Sequence, residues 1–148
     1  LVVPWSCAKK LLASSFLASF SLLVASLQGQ TDLSLLAGLV LFCSVSYWSF
    51  PTFVMRRNID IACTCTSLAY QTFLRAPALL EHGQHHTFNF YVASMSCAML
   101  CYLLARWYGG FRKDYETACR FHIALHALAN VGNVTLYTAL GRIQRAGA

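Results

Sequence analysis

Apolar residues in this chain run on for long stretches, and the pattern neither alternates with period two nor keeps to one narrow helical stripe. Residues 11–27 (LLASSFLASFSLLVASL), 33–53 (LSLLAGLVLFCSVSYWSFPTF) and 88–105 (FNFYVASMSCAMLCYLLA) each supply the roughly 17–25 residues that a hydrocarbon core demands. Two more polar stretches, 59–76 and 117–140, have similar length. The pattern predicts an all-α fold: a polytopic transmembrane bundle of about five helices, forming one domain over residues 1–148. Short connections leave no room for a second, soluble domain.

Composition agrees with the pattern. The chain is 57% hydrophobic and 11% charged, against about 25% charged residues in soluble domains. Its net charge of +6 comes with no basic face or recognition motif, so the expected surroundings are lipid bilayer and other membrane subunits, with no nucleic acid. Sorting the basic residues by a five-helix topology gives that charge a meaning. Lys9, Lys10, Arg56, Arg57, Arg106, Arg112, Lys113 and Arg120 fall on the side of the N-terminus; Arg75, Arg142 and Arg145 fall on the other. Eight against three is the bias of the positive-inside rule, which predicts the N-terminus on the cytosolic, matrix or stromal side. A four-helix topology weakens that bias.

Lys9-Lys10, an apolar run and Val24-Ala25-Ser26 also have the layout of a secretory signal. The chain retains this segment, which therefore reads as the first span. A start at Leu1 rather than Met fits an incomplete sequence or removal of an upstream organelle-targeting piece. The seven cysteines, Cys7, Cys43, Cys63, Cys65, Cys97, Cys101 and Cys119, are odd in number and sit mostly within helices, which favours packing over a disulfide framework. Cys63 and Cys65 point to different helix faces and make a poor metal clip.

Each helix has its own character. The first is rich in small residues, with Ser14/Ala18 and Ser15/Ser19 as small-xxx-small pairs that permit close backbone approach to a helix of this chain or of a neighbouring subunit. The second ends in Tyr47, Trp48, Phe50 and Phe53, a collar suited to the membrane interface. The third carries Asp60, Thr64, Thr66, Ser67 and Gln71; it needs a central place in the bundle or cover from another protein, and Pro77 is expected to stop it. Gly109-Gly110 breaks the chain after the fourth. On the fifth, His122, His126, Asn130 and Asn133 share one face. A polar stripe at membrane depth is costly unless satisfied, and marks a functional site by default.

All five histidines fall in two groups, His82-x-x-His85-His86 and His122-x-x-x-His126. They are similar to the histidine boxes of membrane di-iron desaturases, but the topology separates them. His82, His85 and His86 belong to the loop before the fourth helix. His126 lies near the opposite side, with about 20 Å of helix between. The loop histidines read as a solvated segment. For the second group three readings stay open. His122 and His126 satisfy each other and their neighbours; or one of them ligates a haem or chlorophyll from one face; or both hold zinc, as His-x-x-x-His on one helical face allows.

The strings SVSYW, RRNID and FHIALHALANVGN together resemble the zinc-dependent membrane hydrolase superfamily of alkaline ceramidases, haemolysin III-like proteins and adiponectin-type receptors. That pattern has Ser and His late in one helix, Asp opening the next and His-x-x-x-His on the last. The resemblance implies His122 and His126 as zinc ligands, with Asp60 and Ser46 supporting a zinc-bound water that attacks a lipid amide. Trp48 stands about where a third zinc-binding histidine is expected, and the family has more helices than the five read here.

No complete catalytic constellation is present, so the favoured expectation is a small non-catalytic accessory subunit of a photosynthetic or respiratory membrane complex, in a thylakoid or mitochondrial inner membrane. It would pack against its host and ligate a pigment or haem through His122 or His126. The alternative is a zinc-dependent amidohydrolase acting on lipid, with His122, His126 and Asp60 at the metal. A channel or transporter finds no support in matched, broken helices.

Overall fold

The computed structural model describes residues 3–52 and 55–147, and the described residues hold helices and no strand. Five rods run back and forth. The first spans Trp5–Leu27, bending where Phe16 and Leu17 separate Trp5–Ser15 from Ala18–Leu27. The second is Thr31–Ser49; the third is Met55–Tyr70, extended by a wide π-type turn at Gln71–Arg75 and a short helix at Pro77–Glu81. The fourth is His85–Trp107 with a second π segment at Tyr108–Arg112, and the fifth is Tyr115–Ala146. Four of the five are long and apolar enough to cross a membrane. The third is not, because its Asn, Asp and Thr residues dilute its apolar content. The expected five-helix bundle is thus present, with the third rod its least apolar member.

Contacts at the two ends fix the topology. Lys10 Nζ meets Glu116 at 2.8 Å, and Cys119 Sγ faces Cys7 O at 3.8 Å, so the first rod begins where the fifth begins. Gln30 Nε2 donates to Gln144 Oε1 at 2.8 Å and Arg145 donates to Gln28 Oε1 at 2.7 Å, so the first rod ends where the fifth ends. The alternation used to sort the basic residues thus holds.

Local chemistry explains the boundaries. Asp114 N-caps the fifth helix by accepting the Thr117 N–H at 3.1 Å; its hydrogen bonds with Thr117 hold its carboxyl below the usual carboxylate range. Two expected breaks are not breaks. Pro77 begins a short helical continuation, where a missing N–H costs nothing. Gly109 and Gly110 lie inside the π segment, and the chain turns at Lys113, whose φ of 56° is left-handed. His85 and His86 open the fourth helix instead of lying in a loop.

The fourth and fifth rods form the most intimate pair. A Cβ on Gly132 would lie 2.7 Å from Met95 Cε and 3.2 Å from Ser94 Cβ, and one on Gly109 would lie 3.3 Å from Ala118 Cβ. Lipid is as apolar as leucine, so such close approach works through van der Waals contact, not water exclusion. The small face of the first rod is used in the same way: Ala8, Ser14, Ser15, Ser21 and Ala25 are all buried within this chain. Outward faces carry Phe16, Phe20, Leu23, Leu35, Leu39, Phe42 and Leu103, as lipid contact requires.

The aromatic collar is differently placed from its expectation. Tyr47 and Trp48 are buried against Cys7, Leu11 and Cys119; Phe50 is exposed, and Phe53 lies outside the described residues. Trp5, Trp107 and Phe111 are also exposed near this end.

Candidate functional site

The bundle closes at one end and stays open inside at the other. Ala25, Leu33, Ala76, Leu79, Tyr91, Leu136, Tyr137, Ala139 and Leu140 form one buried cluster. Towards the N-terminal end the rods instead surround a cavity of about 540 Å³. The reason lies in the third rod. Its Met55–Tyr70 part packs chiefly against the second rod, and Thr64, Cys65 and Thr66 are exposed. The expected central position is thus replaced by a peripheral one.

The polar stripe of the fifth helix forms one wall: His122, His126, Asn130 and Asn133 all line the cavity. His126 is held in place by the first rod, with its Nδ1 2.7 Å from Ser14 Oγ. Ser14 has one hydroxyl proton and gives it to Leu11 O at 2.9 Å, so His126 Nδ1 is the donor to Ser14. That tautomer leaves the lone pair of Nε2 available. The His122 ring lies edge-on to His126 with centroids 4.9 Å apart; on its other side the Trp48 ring is 5.2 Å away, also edge-on. Asn130 Oδ1 accepts from the Ser21 N–H at 3.2 Å and from the Ser21 hydroxyl.

The second and third rods supply the facing wall. Ser44 Oγ donates to Asp60 Oδ1 at 2.6 Å, and both line the cavity. The serine partner is Ser44, not Ser46; Ser46 instead offers its carbonyl to Arg56 at 3.5 Å. Deeper in, Gln71 Nε2 donates to Ser67 Oγ at 2.8 Å from the first residue of the π turn. Such wide turns re-aim side chains and recur at functional sites.

Polar capacity in this cavity exceeds what the chain satisfies. Trp48 Nε1 and Gln71 Oε1 are buried with no hydrogen-bond partner among the described residues, although Trp48 is 5% and Gln71 3% exposed. Both atoms are packed within the cavity wall, out of reach of the space itself, and mark where the wall is least satisfied.

The residues implied for a zinc site are only partly assembled. His122 and His126 adjoin, and Asp60 shares the cavity, but among the described residues no three His, Cys, Asp or Glu side chains converge as a metal-ligand group. Trp48 occupies the place beside His122 where the resemblance asks for another histidine. His82, His85 and His86 are exposed far from the cavity, with His82 Nδ1 2.9 Å from Ala78 O. No family model, curated protein or solved structure matches the chain.

Proposed function

We propose that this protein is a small accessory subunit of a larger membrane complex, photosynthetic or respiratory, whose own contribution is to hold a ligand in the interior cavity. The observation that carries this reading is a cavity of about 540 Å³ lined by His122, His126, Asn130 and Asn133, with the lone pair on His126 Nε2 left free by the bond from Nδ1 to Ser14. An imidazole with its Nδ1–H fixed by a neighbour is the form in which histidine ligates a metal. His126, with His122 beside it, therefore suits the iron of a haem or the magnesium of a chlorophyll. The polar, exposed Thr66 of the third rod suits contact with another subunit better than contact with lipid. The basic end, by its charge, belongs on the stromal, matrix or cytosolic side.

The test is migration on a native gel of gently solubilised source membranes, with partners identified by mass spectrometry and the band's visible spectrum recorded. Co-migration with a defined complex and a tetrapyrrole absorption band, lost in His126→Ala, is expected. A small, colourless species migrating alone overturns the reading.

A second reading draws on the Ser44–Asp60 pair sharing a cavity with His122 and His126: a zinc-dependent amidohydrolase acting on lipid. Metal analysis separates the two. Stoichiometric zinc that disappears in both His122→Ala and His126→Ala favours the hydrolase, and its absence from freshly purified protein counts against it.

A further inference from the structure

The cavity has a charged mouth that neither reading uses. Arg57, Arg106 and Lys113, from the third rod, the fourth rod and the turn before the fifth, all line it. None of the three forms an ion pair among the described residues, whereas Lys10, Arg75 and Arg120 do. A topological charge bias accounts for basic residues at this end as a group. It does not account for three of them, distant in sequence, converging on the rim of one cavity. Asp60, the acidic residue lining that cavity, already receives the Ser44 hydroxyl.

An apolar groove adjoins the cavity. On the outer surface between the third and fourth rods lies a groove of about 310 Å³, lined in part by Leu68, Phe73, Val92, Met95 and Met99. Leu68, Met95, Met99 and Cys65 belong to both the groove and the cavity, so the two spaces adjoin through a wall containing two methionines, the most adaptable apolar side chains. A molecule seated here meets cations at one end, hydrogen-bonding groups along one wall and apolar surface elsewhere.

We infer that the site takes a carboxylate-bearing apolar molecule, its anionic group held at Arg57, Arg106 and Lys113 and its apolar body lying in the cavity and the adjoining groove. This rests on the reading of the cavity as a ligand site and narrows the ligand's chemistry. Guanidinium groups favour carboxylates through paired, charge-assisted hydrogen bonds, and at a membrane surface each cation adds further attraction for an anion. Two sources present this chemistry, a fatty acid from the bilayer and a tetrapyrrole with propionate side chains.

The test uses the full chain in phosphatidylcholine nanodiscs, titrated with oleate, methyl oleate, haemin and haemin dimethyl ester. Binding is followed by tryptophan fluorescence and, for the haemins, by visible absorption. At least one acid is expected to bind at least about tenfold more tightly than its ester. Arg57→Gln and Arg106→Gln should each weaken the acid by about tenfold while leaving ester binding unchanged. Lys113→Gln, at an exposed position, repeats the test should either arginine variant fail to fold. Oleate binding alone assigns the lipid source, and haemin binding alone assigns the tetrapyrrole. Equal binding of acid and ester overturns the inference while the cavity remains a ligand site. Failure of all four probes overturns the inference, while a bound chlorophyll, whose carboxyls are esterified, is read separately from the spectrum of the native-gel band.

Discussion

The two ends of this bundle are made from the same five rods but solve different problems. At the closed end all five rods contribute to one buried cluster. Tyr91 and Tyr137 are fully buried beside Leu33, Leu79 and Leu136, and Asp32 joins the rods by accepting Tyr70 Oη at 2.7 Å and facing Arg75 Nε at 3.3 Å. Arg75 also donates to Gln30, which reaches Gln144. At the open end the same rods carry His122, His126, Asn133, Asp60 and Ser44, and the third rod rests on the second. Complementary apolar surfaces draw helices together in lipid. Polar groups paired only with a near neighbour, as Ser44 is with Asp60 and His126 with Ser14, line a space that a ligand can complete. The contrast teaches that the cavity follows from where polar residues were placed, at a cost the closed end offsets.

Substitutions at each end test that contrast. Tyr91→Ala removes a fully buried ring and its 3.0 Å hydrogen bond with Thr72. It should destabilise the bundle by about 3 kcal/mol, the low end of the aromatic-to-alanine range because lipid contributes no water exclusion. Unfolding in mixed micelles by a denaturing detergent measures it, and a loss below about 1 kcal/mol would mean the closed end does not hold the fold. Gly141→Ala is expected to cost about 1–3 kcal/mol, since the new Cβ would stand 2.2 Å from Gln28 Oε1 and 2.8 Å from Gln28 Cβ; the same assay reads it.

Smaller effects sharpen the comparison. The Tyr137 hydroxyl is buried without a partner among the described residues, so Tyr137→Phe should raise stability, by about 1 kcal/mol. His122→Leu at the open end should change it by less than about 1 kcal/mol, because the imidazole makes no hydrogen bond among the described residues. If His122→Leu proved as damaging as Tyr91→Ala, the division between a structural and a functional end would collapse. Least of all, Lys10→Gln breaks an exposed ion pair with Glu116 and should leave thermal stability unchanged within error.

Much of this was legible in the sequence, for reasons that also explain the rest. Long apolar runs and the sorting of eleven basic residues gave the rods and their directions, since both depend on local composition. The stripe His122, His126, Asn130 and Asn133 was legible because helical periodicity alone puts those residues on one face. Which helix each face meets is not a local property. Ser44 and Ser46 sit about 200° apart around their helix, so choosing the partner of Asp60 required knowing how the second and third rods are turned towards each other. The π turn at Gln71–Arg75 shifts that phase by a residue with no signal in composition. The third rod, polar enough to demand cover, was expected at the centre of the bundle or against another protein. Its polarity lines a cavity on one side and faces outward on the other.

The lean of the third rod on a single neighbour sets the order in which the molecule comes apart. Amide protons in Met55–Ser67, with few packed neighbours, should exchange with deuterium well before those in Gln71–Glu81, where Ala76 and Leu79 are fully buried. This segment is then the part of the chain that breathes. Its opening would also uncover Leu68, which lines both the cavity and the adjoining groove.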